Sequence, residues 1–155
     1  MQRCAHTLLG VIFAAAMAAG ATQAAEPSAP QFLNSGKVTS GDLPFSEAVR
    51  HGHTLYLSGQ IGVRPGSREL VPGGIRAEAR QALENIRLVL EAHGRHTADL
   101  LKCTVMLADM AEWPALNEVW RDALSKPYPA RSAFGATGLA LGARVEIECL
   151  ADAGP

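Results

Sequence analysis

Twice along the chain the spacing of apolar residues switches to the three-and-four rhythm of a helix, and each switch is flanked by short runs with the character of strands. From Ile75 onward, Ala79, Leu83, Ile86 and Leu90 fall on one helical face while Glu78, Arg80, Glu84 and Arg87 lie elsewhere. Gly94 is placed to end this helix, because glycine takes the backbone that follows a last turn at no steric cost. The second stretch runs from Trp113 to Leu124. It has Leu116, Val119, Trp120 and Ala123 on one face and Pro114 in the first turn, where a missing N–H is tolerated. Around the helices, a hairpin is expected between Val49 and Gly59, turning at His51-Gly52-His53, and a loop from Val63 to Gly74. Leu100–Leu107, Ala130–Ala136 and Ala143–Leu150 read as further strands. The order β-β-α-β-α-β-β predicts an α+β domain: a mixed sheet with both helices packed on one face. The opposite face must then be wetted or covered, and self-association is a natural cover.

The ends of the chain read differently from this middle. Arg3 precedes an apolar, alanine-rich run from Thr7 to Ala21, and small residues at 19, 21, 22, 24 and 25 follow it. That is the pattern of a secretory signal peptide over residues 1–25, cut after Ala24 or Ala25. The alternative, a retained anchor, is disfavoured because the run is short for a membrane span and alanines partition weakly into lipid. Cys4 lies before the run, so it is no lipoprotein attachment site. Residues 26–35 are expected to be a flexible leader and 36–155 one folded domain, exported to the periplasm or beyond, with no membrane contact after cleavage. The net charge of −1 and the scattered Lys and Arg give no basic stripe, so nucleic acid is not an expected partner. Cys103 and Cys149 would remain after cleavage. Export would permit a bond between them, but their apolar strand-like surroundings suit buried free thiols equally well.

Several chemistries lack their motifs. There is no Gly-x-Gly-x-x-Gly, no P-loop, no Cys-x-x-Cys and no Gly-x-Ser-x-Gly. His51 and His53 have a spacing that could hold a metal, but no third ligand is placed with them, and histidines flanking a turn glycine are usually polar turn residues. The informative segments are Tyr56-Leu-Ser-Gly-Gln-Ile61, Asn117, Tyr128-Pro-Ala-Arg-Ser-Ala-Phe134 and Ala143-Arg-Val-Glu-Ile-Glu148. With Leu70-Val-Pro-Gly-Gly74 and the helix Glu78–Ile86 between them in register, the chain from Gly36 to Pro155 resembles the RidA/YjgF family of reactive-intermediate deaminases.

The resemblance implies a chorismate-mutase-like fold, a homotrimer with three clefts between subunits, and no cofactor. It implies hydrolysis of 2-imino acids, formed from enamines such as 2-aminoacrylate, to 2-oxo acids and ammonia. Matched motif to motif, Arg131 corresponds to the residue that holds the substrate carboxylate and Glu146 to the one that positions water, while Ser58, Gly59 and Asn117 correspond to cleft-lining positions. Phe45 departs from the pattern: many members have tyrosine there, so a hydroxyl is lost and the pocket becomes more apolar. Ala133 stands where many members have cysteine or alanine.

The side chains suit these roles. A guanidinium fork fits a carboxylate bidentately, and a carboxylate can aim a water and relay its proton. Strand parity alone would put Glu146 and Glu148 on a solvated face, opposite Val145, Ile147 and Cys149. Ser58 and Asn117 could equally close a turn or cap a helix. Two other functions compete: a trimer that binds small carboxylates without turning them over, and a ribonuclease, against which the charge balance counts.

Overall fold

The computed structural model describes residues 29–38 and 43–155, so the expected signal peptide, residues 1–25, lies outside the described residues. Among the described residues the elements run β1 (Gln31–Leu33), β2 (Ala48–His51), β3 (Thr54–Ile61), α1 (Gly74–Ala92), β4 (Leu100–Leu107), α2 (Trp113–Ala123), β5 (Ala130–Gly135) and β6 (Val145–Asp152). The six strands form one sheet in the order β1-β2-β3-β6-β4-β5. β4 and β5 are parallel, joined by α2 in a crossover, and every other pair is antiparallel. This is the mixed sheet with two helices that the apolar periodicity predicts.

The core lies between one sheet face and the two helices. Ile86, Val89 and Leu90 of α1 and Leu116 and Val119 of α2 are buried with Val105 and Leu107 of β4 and Val145 and Ile147 of β6. Each such side chain contributes roughly 2 kcal/mol when taken from water. α1 is also tied to the sheet by polar contacts. Asn85 is buried, and its amide donates to the carbonyls of Ile61 (3.3 Å) and Val63 (2.8 Å), while Glu78 accepts from the backbone N–H of Arg144 (2.8 Å). α1 crosses Gly62 so closely that a Cβ there would collide with the Glu78 backbone.

Two details differ from the expectation or resolve it. Gln31–Leu33, within the stretch expected to be a flexible leader, pairs antiparallel with β2, and Leu33 packs against the core. A strand of three residues is too short to show an alternation. The Ser35 N–H donates to Glu47 Oε2 (2.8 Å) and the Glu47 N–H to Asn34 Oδ1 (2.9 Å), so the return from β1 to β2 is fastened as well. Cys103 and Cys149, for which both states were open, stand directly opposite in the β4–β6 ladder, on the core side, and are joined by a disulfide. The hairpin turns at Gly52 (φ 58°) between His51 and His53 as expected, and His53 Nδ1 lies 2.8 Å from the Gly154 carbonyl oxygen.

Candidate active site

The polar residues singled out in the sequence gather in two places. The first is on the sheet face away from the helices. Along β6, Val145, Ile147 and Cys149 turn into the core, so Glu146 and Glu148 turn out. Glu146 is half-buried, and its pKa is raised, first by burial and then by the negative charge of Glu148. Its carboxylate lies over Gly59, where the β3–β6 register shifts between Leu57 and Gln60. A Cβ at Gly59 would overlap the Glu146 carboxylate, which explains the glycine by close approach and not by its backbone angles. Gly59, Glu146 and Phe45 line one cavity of about 430 Å³. Ser58 stands beside it and not in its wall. Its hydroxyl donates to the Ser46 carbonyl (2.6 Å) and its N–H to the Glu47 carbonyl (3.1 Å), fastening the segment that presents Phe45.

The second group lies under α2. Arg131 of β5 is level with Cys103 of β4, whose side chain faces the core, so Arg131 points to the helix side of the sheet. Its guanidinium carbon sits 4.9 Å from the ring centre of Trp113 and 4.7 Å from that of Trp120. Cation–π attraction at a half-buried site like this is worth about 1–2 kcal/mol. Nη2 donates to Asn117 Oδ1 (2.5 Å), whereas Nη1 is buried and has no hydrogen-bond partner among the described residues. Burial lowers the Arg131 pKa, but a guanidinium remains charged in any folded protein. Trp113, Asn117 and Trp120 fall at i, i+4 and i+7 of one helix, so the face was readable in principle. What the apolar periodicity could not show is that Trp113 and Trp120 both stack on a cation.

Arg131 with Asn117, and Glu146 with Gly59 and Phe45, therefore occupy opposite faces of the sheet. No hydrogen bond or ion pair joins the two groups among the described residues. The first holds a guanidinium with one buried donor unpaired among the described residues, and the second a carboxylate in a cavity. Within a single chain they cannot act on one small molecule.

The family profile described as Endoribonuclease L-PSP matches residues 39–153. A goat (Capra hircus) protein named 2-iminobutanoate/2-iminopropanoate deaminase is 41% identical over 125 residues, covering 81% of this chain and 91% of its own. A mouse (Mus musculus) protein of the same name is 44% identical over 112 residues, covering 72% and 83%. Among solved structures, RidA from an Antarctic Psychrobacter species matches with a TM-score of 0.74 at 39% identity, over 79% of this chain and 98% of that one.

Proposed function

The chain belongs to the endoribonuclease L-PSP family, the family of the RidA/YjgF deaminases, and from that premise we propose that it hydrolyses 2-imino acids to 2-oxo acids and ammonia in clefts between the copies of a homotrimer. Arg131 and Asn117 of one copy face Gly59, Glu146 and Phe45 of the next. The observation that carries this reading is the buried Nη1 of Arg131, beside two indoles and without a partner among the described residues. An unmet buried donor costs about 1–3 kcal/mol. The carboxylate of a 2-imino acid removes that cost and is oriented by the guanidinium plane.

The chemistry then needs a water at the C=N carbon. Ionised Glu146 accepts a proton from that water as its oxygen bonds to the carbon and the C=N electrons move to nitrogen, giving a tetrahedral carbinolamine. Glu146 returns that proton to nitrogen, completing the carbinolamine with its hydroxyl and amino groups. It then takes the hydroxyl proton and passes it to the amino nitrogen as C=O forms and the C–N bond breaks, so ammonia leaves and Glu146 is again ionised. The raised pKa of Glu146 brings its proton affinity closer to what such a relay requires.

Ribonuclease chemistry is not favoured, because nothing in the net charge of −1 neutralises a phosphate backbone. We also assign the mature chain to a compartment outside the cytoplasm. The reading of residues 1–25 supports this, and so does the Cys103–Cys149 bond, which suits an oxidising environment. N-terminal sequencing of the chain recovered from outside the cytoplasm is expected to begin at Ala25 or Glu26.

The test of the reaction is a coupled assay in which a serine dehydratase supplies 2-aminoacrylate and pyruvate release is followed. The mature chain should accelerate release, and Arg131→Ala should abolish both the acceleration and 2-oxobutyrate binding. Glu146→Ala should bind 2-oxobutyrate normally yet lose the acceleration, by about 10²–10⁴-fold. Binding by the wild-type chain without any acceleration would leave a carboxylate-binding trimer in its place.

A further inference from the structure

The deaminase reading assigns partners to the substrate's carboxylate and C=N carbon but not to whatever extends beyond them. The cavity under Glu146, at about 430 Å³, has room for roughly fourteen water-sized groups, more than twice the six non-hydrogen atoms of 2-iminopropanoate. Its walls are mostly apolar, with Leu43, Phe45, Ile61, Val63 and Leu141 among them. The polar side chains in it are largely engaged elsewhere. Asn85 donates to the Ile61 and Val63 carbonyls and accepts from Gln81, and Gln60 donates to the Ser58 carbonyl. Arg68 is exposed, which leaves Glu146 as the half-buried ionisable group of the cavity.

Leu141 is the unusual member. Among the described residues it alone, apart from glycines, has a positive φ, at 58°. A left-handed backbone is unfavourable for leucine, and such residues gather where function holds them. Burial within its own chain does not account for it, since Leu141 is 62% exposed, and Phe45 on the same cavity is 52% exposed. Two large apolar side chains are thus presented to a cavity without being covered by their own fold.

Resting on the deaminase reading, we propose that this cavity is a side-chain pocket, that the preferred substrates are 2-imino acids with large apolar side chains, branched or aromatic, and that Phe45 and Leu141 set the preference. Such a side chain buries its own apolar surface together with that of Phe45 and Leu141, while the methyl of 2-iminopropanoate leaves most of the pocket to water. A few methylene groups in a hydrophobic pocket are worth tenfold or more in kcat/KM.

The test generates 2-imino acids in place with an amino acid oxidase from alanine, leucine and phenylalanine, with semicarbazide competing for the imine. The kcat/KM for the leucine-derived imine is expected to exceed that for the alanine-derived one at least tenfold. Leu141→Asn keeps a residue that tolerates the left-handed backbone and removes the apolar side chain. It and Phe45→Ser should each lower that ratio threefold or more. A wild-type ratio near one, or a ratio untouched by both substitutions, would overturn the proposal. If no imine is hydrolysed, the deaminase reading fails and the pocket is judged by calorimetry. Binding of 4-methyl-2-oxopentanoate tenfold tighter than pyruvate would uphold it, and equal binding would sink it.

Discussion

The carboxylate of Glu146 sits where ionisation is unfavourable, half-buried and beside Glu148, so it takes up its proton at a higher pH than an exposed glutamate does. If it acts as the base, activity must fall on its protonation, and the acidic limb of kcat/KM should have its midpoint above the ordinary carboxylate range. The same shift has a consequence for stability, with the opposite benefit. In the unfolded chain Glu146 ionises at its ordinary value, near pH 4.3. Between that pH and its raised folded value, stability falls as pH rises, and at neutral pH the full cost is present. Glu146→Gln should therefore lose activity yet unfold at a higher urea concentration than wild type at pH 7, with the difference vanishing below about pH 4. Urea titrations at the two pH values check this, and a variant that is less stable at pH 7 would mean that the carboxylate holds the fold. Gly59 stands behind the same group. Gly59→Ala would push the Glu146 carboxylate aside and should depress turnover, while 2-oxobutyrate binding through Arg131 persists.

At the scale of elements, the disulfide joins the two strands on which much of the site depends. β6 carries Glu146, and β4 lies beside Arg131 of β5. Its closed loop spans 46 residues, and a loop of that length restricts the unfolded chain by about 4 kcal/mol. Reduction should lower the urea midpoint by at least about 1 M, and a midpoint indifferent to reductant would mean that the thiols are free. The sequence could not decide this pairing, because it depends on register: two cysteines 46 residues apart are opposite each other only if the β4–β6 ladder is aligned one way. The helices were legible, because 19 and 11 residues give the apolar rhythm several turns in which to repeat. The outward turn of Glu146 was legible too, from the parity of Val145, Ile147 and Cys149. The inward turn of Arg131 was not. β5 is an edge strand whose sequence, Ala-Arg-Ser-Ala-Phe-Gly, has no clear alternation, and its facing is set by its parallel pairing with β4. The left-handed backbone of Leu141 was equally hidden, for nothing in Leu-Ala-Leu-Gly marks one leucine for it.

For the whole molecule, the opposed facing of Arg131 and Glu146 means that the proposed reaction needs a cleft shared by two copies. The sheet face that carries Glu146 also presents Tyr56, Met106, Phe134 and Leu150, a set of large side chains with no helix of the described residues over them. In the proposed trimer a second copy would cover that face, remove apolar surface from water and bring another chain's Arg131 toward the Glu146 cavity. This arrangement can be tested without a crystal. Arg131→Ala and Glu146→Gln chains should each be inactive alone, since every cleft lacks one partner. Co-expressed in equal amounts, they assemble at random, and a cleft is complete when its Arg131 comes from the Glu146→Gln chain and its Glu146 from the Arg131→Ala chain. Each condition is met about half the time in a closed ring, so about a quarter of wild-type activity should return. If one chain contained its whole site, every chain in the mixture would still lack one partner. Mixing would then restore nothing, and the shared-cleft reading would fall even if the protein ran as a trimer on a sizing column.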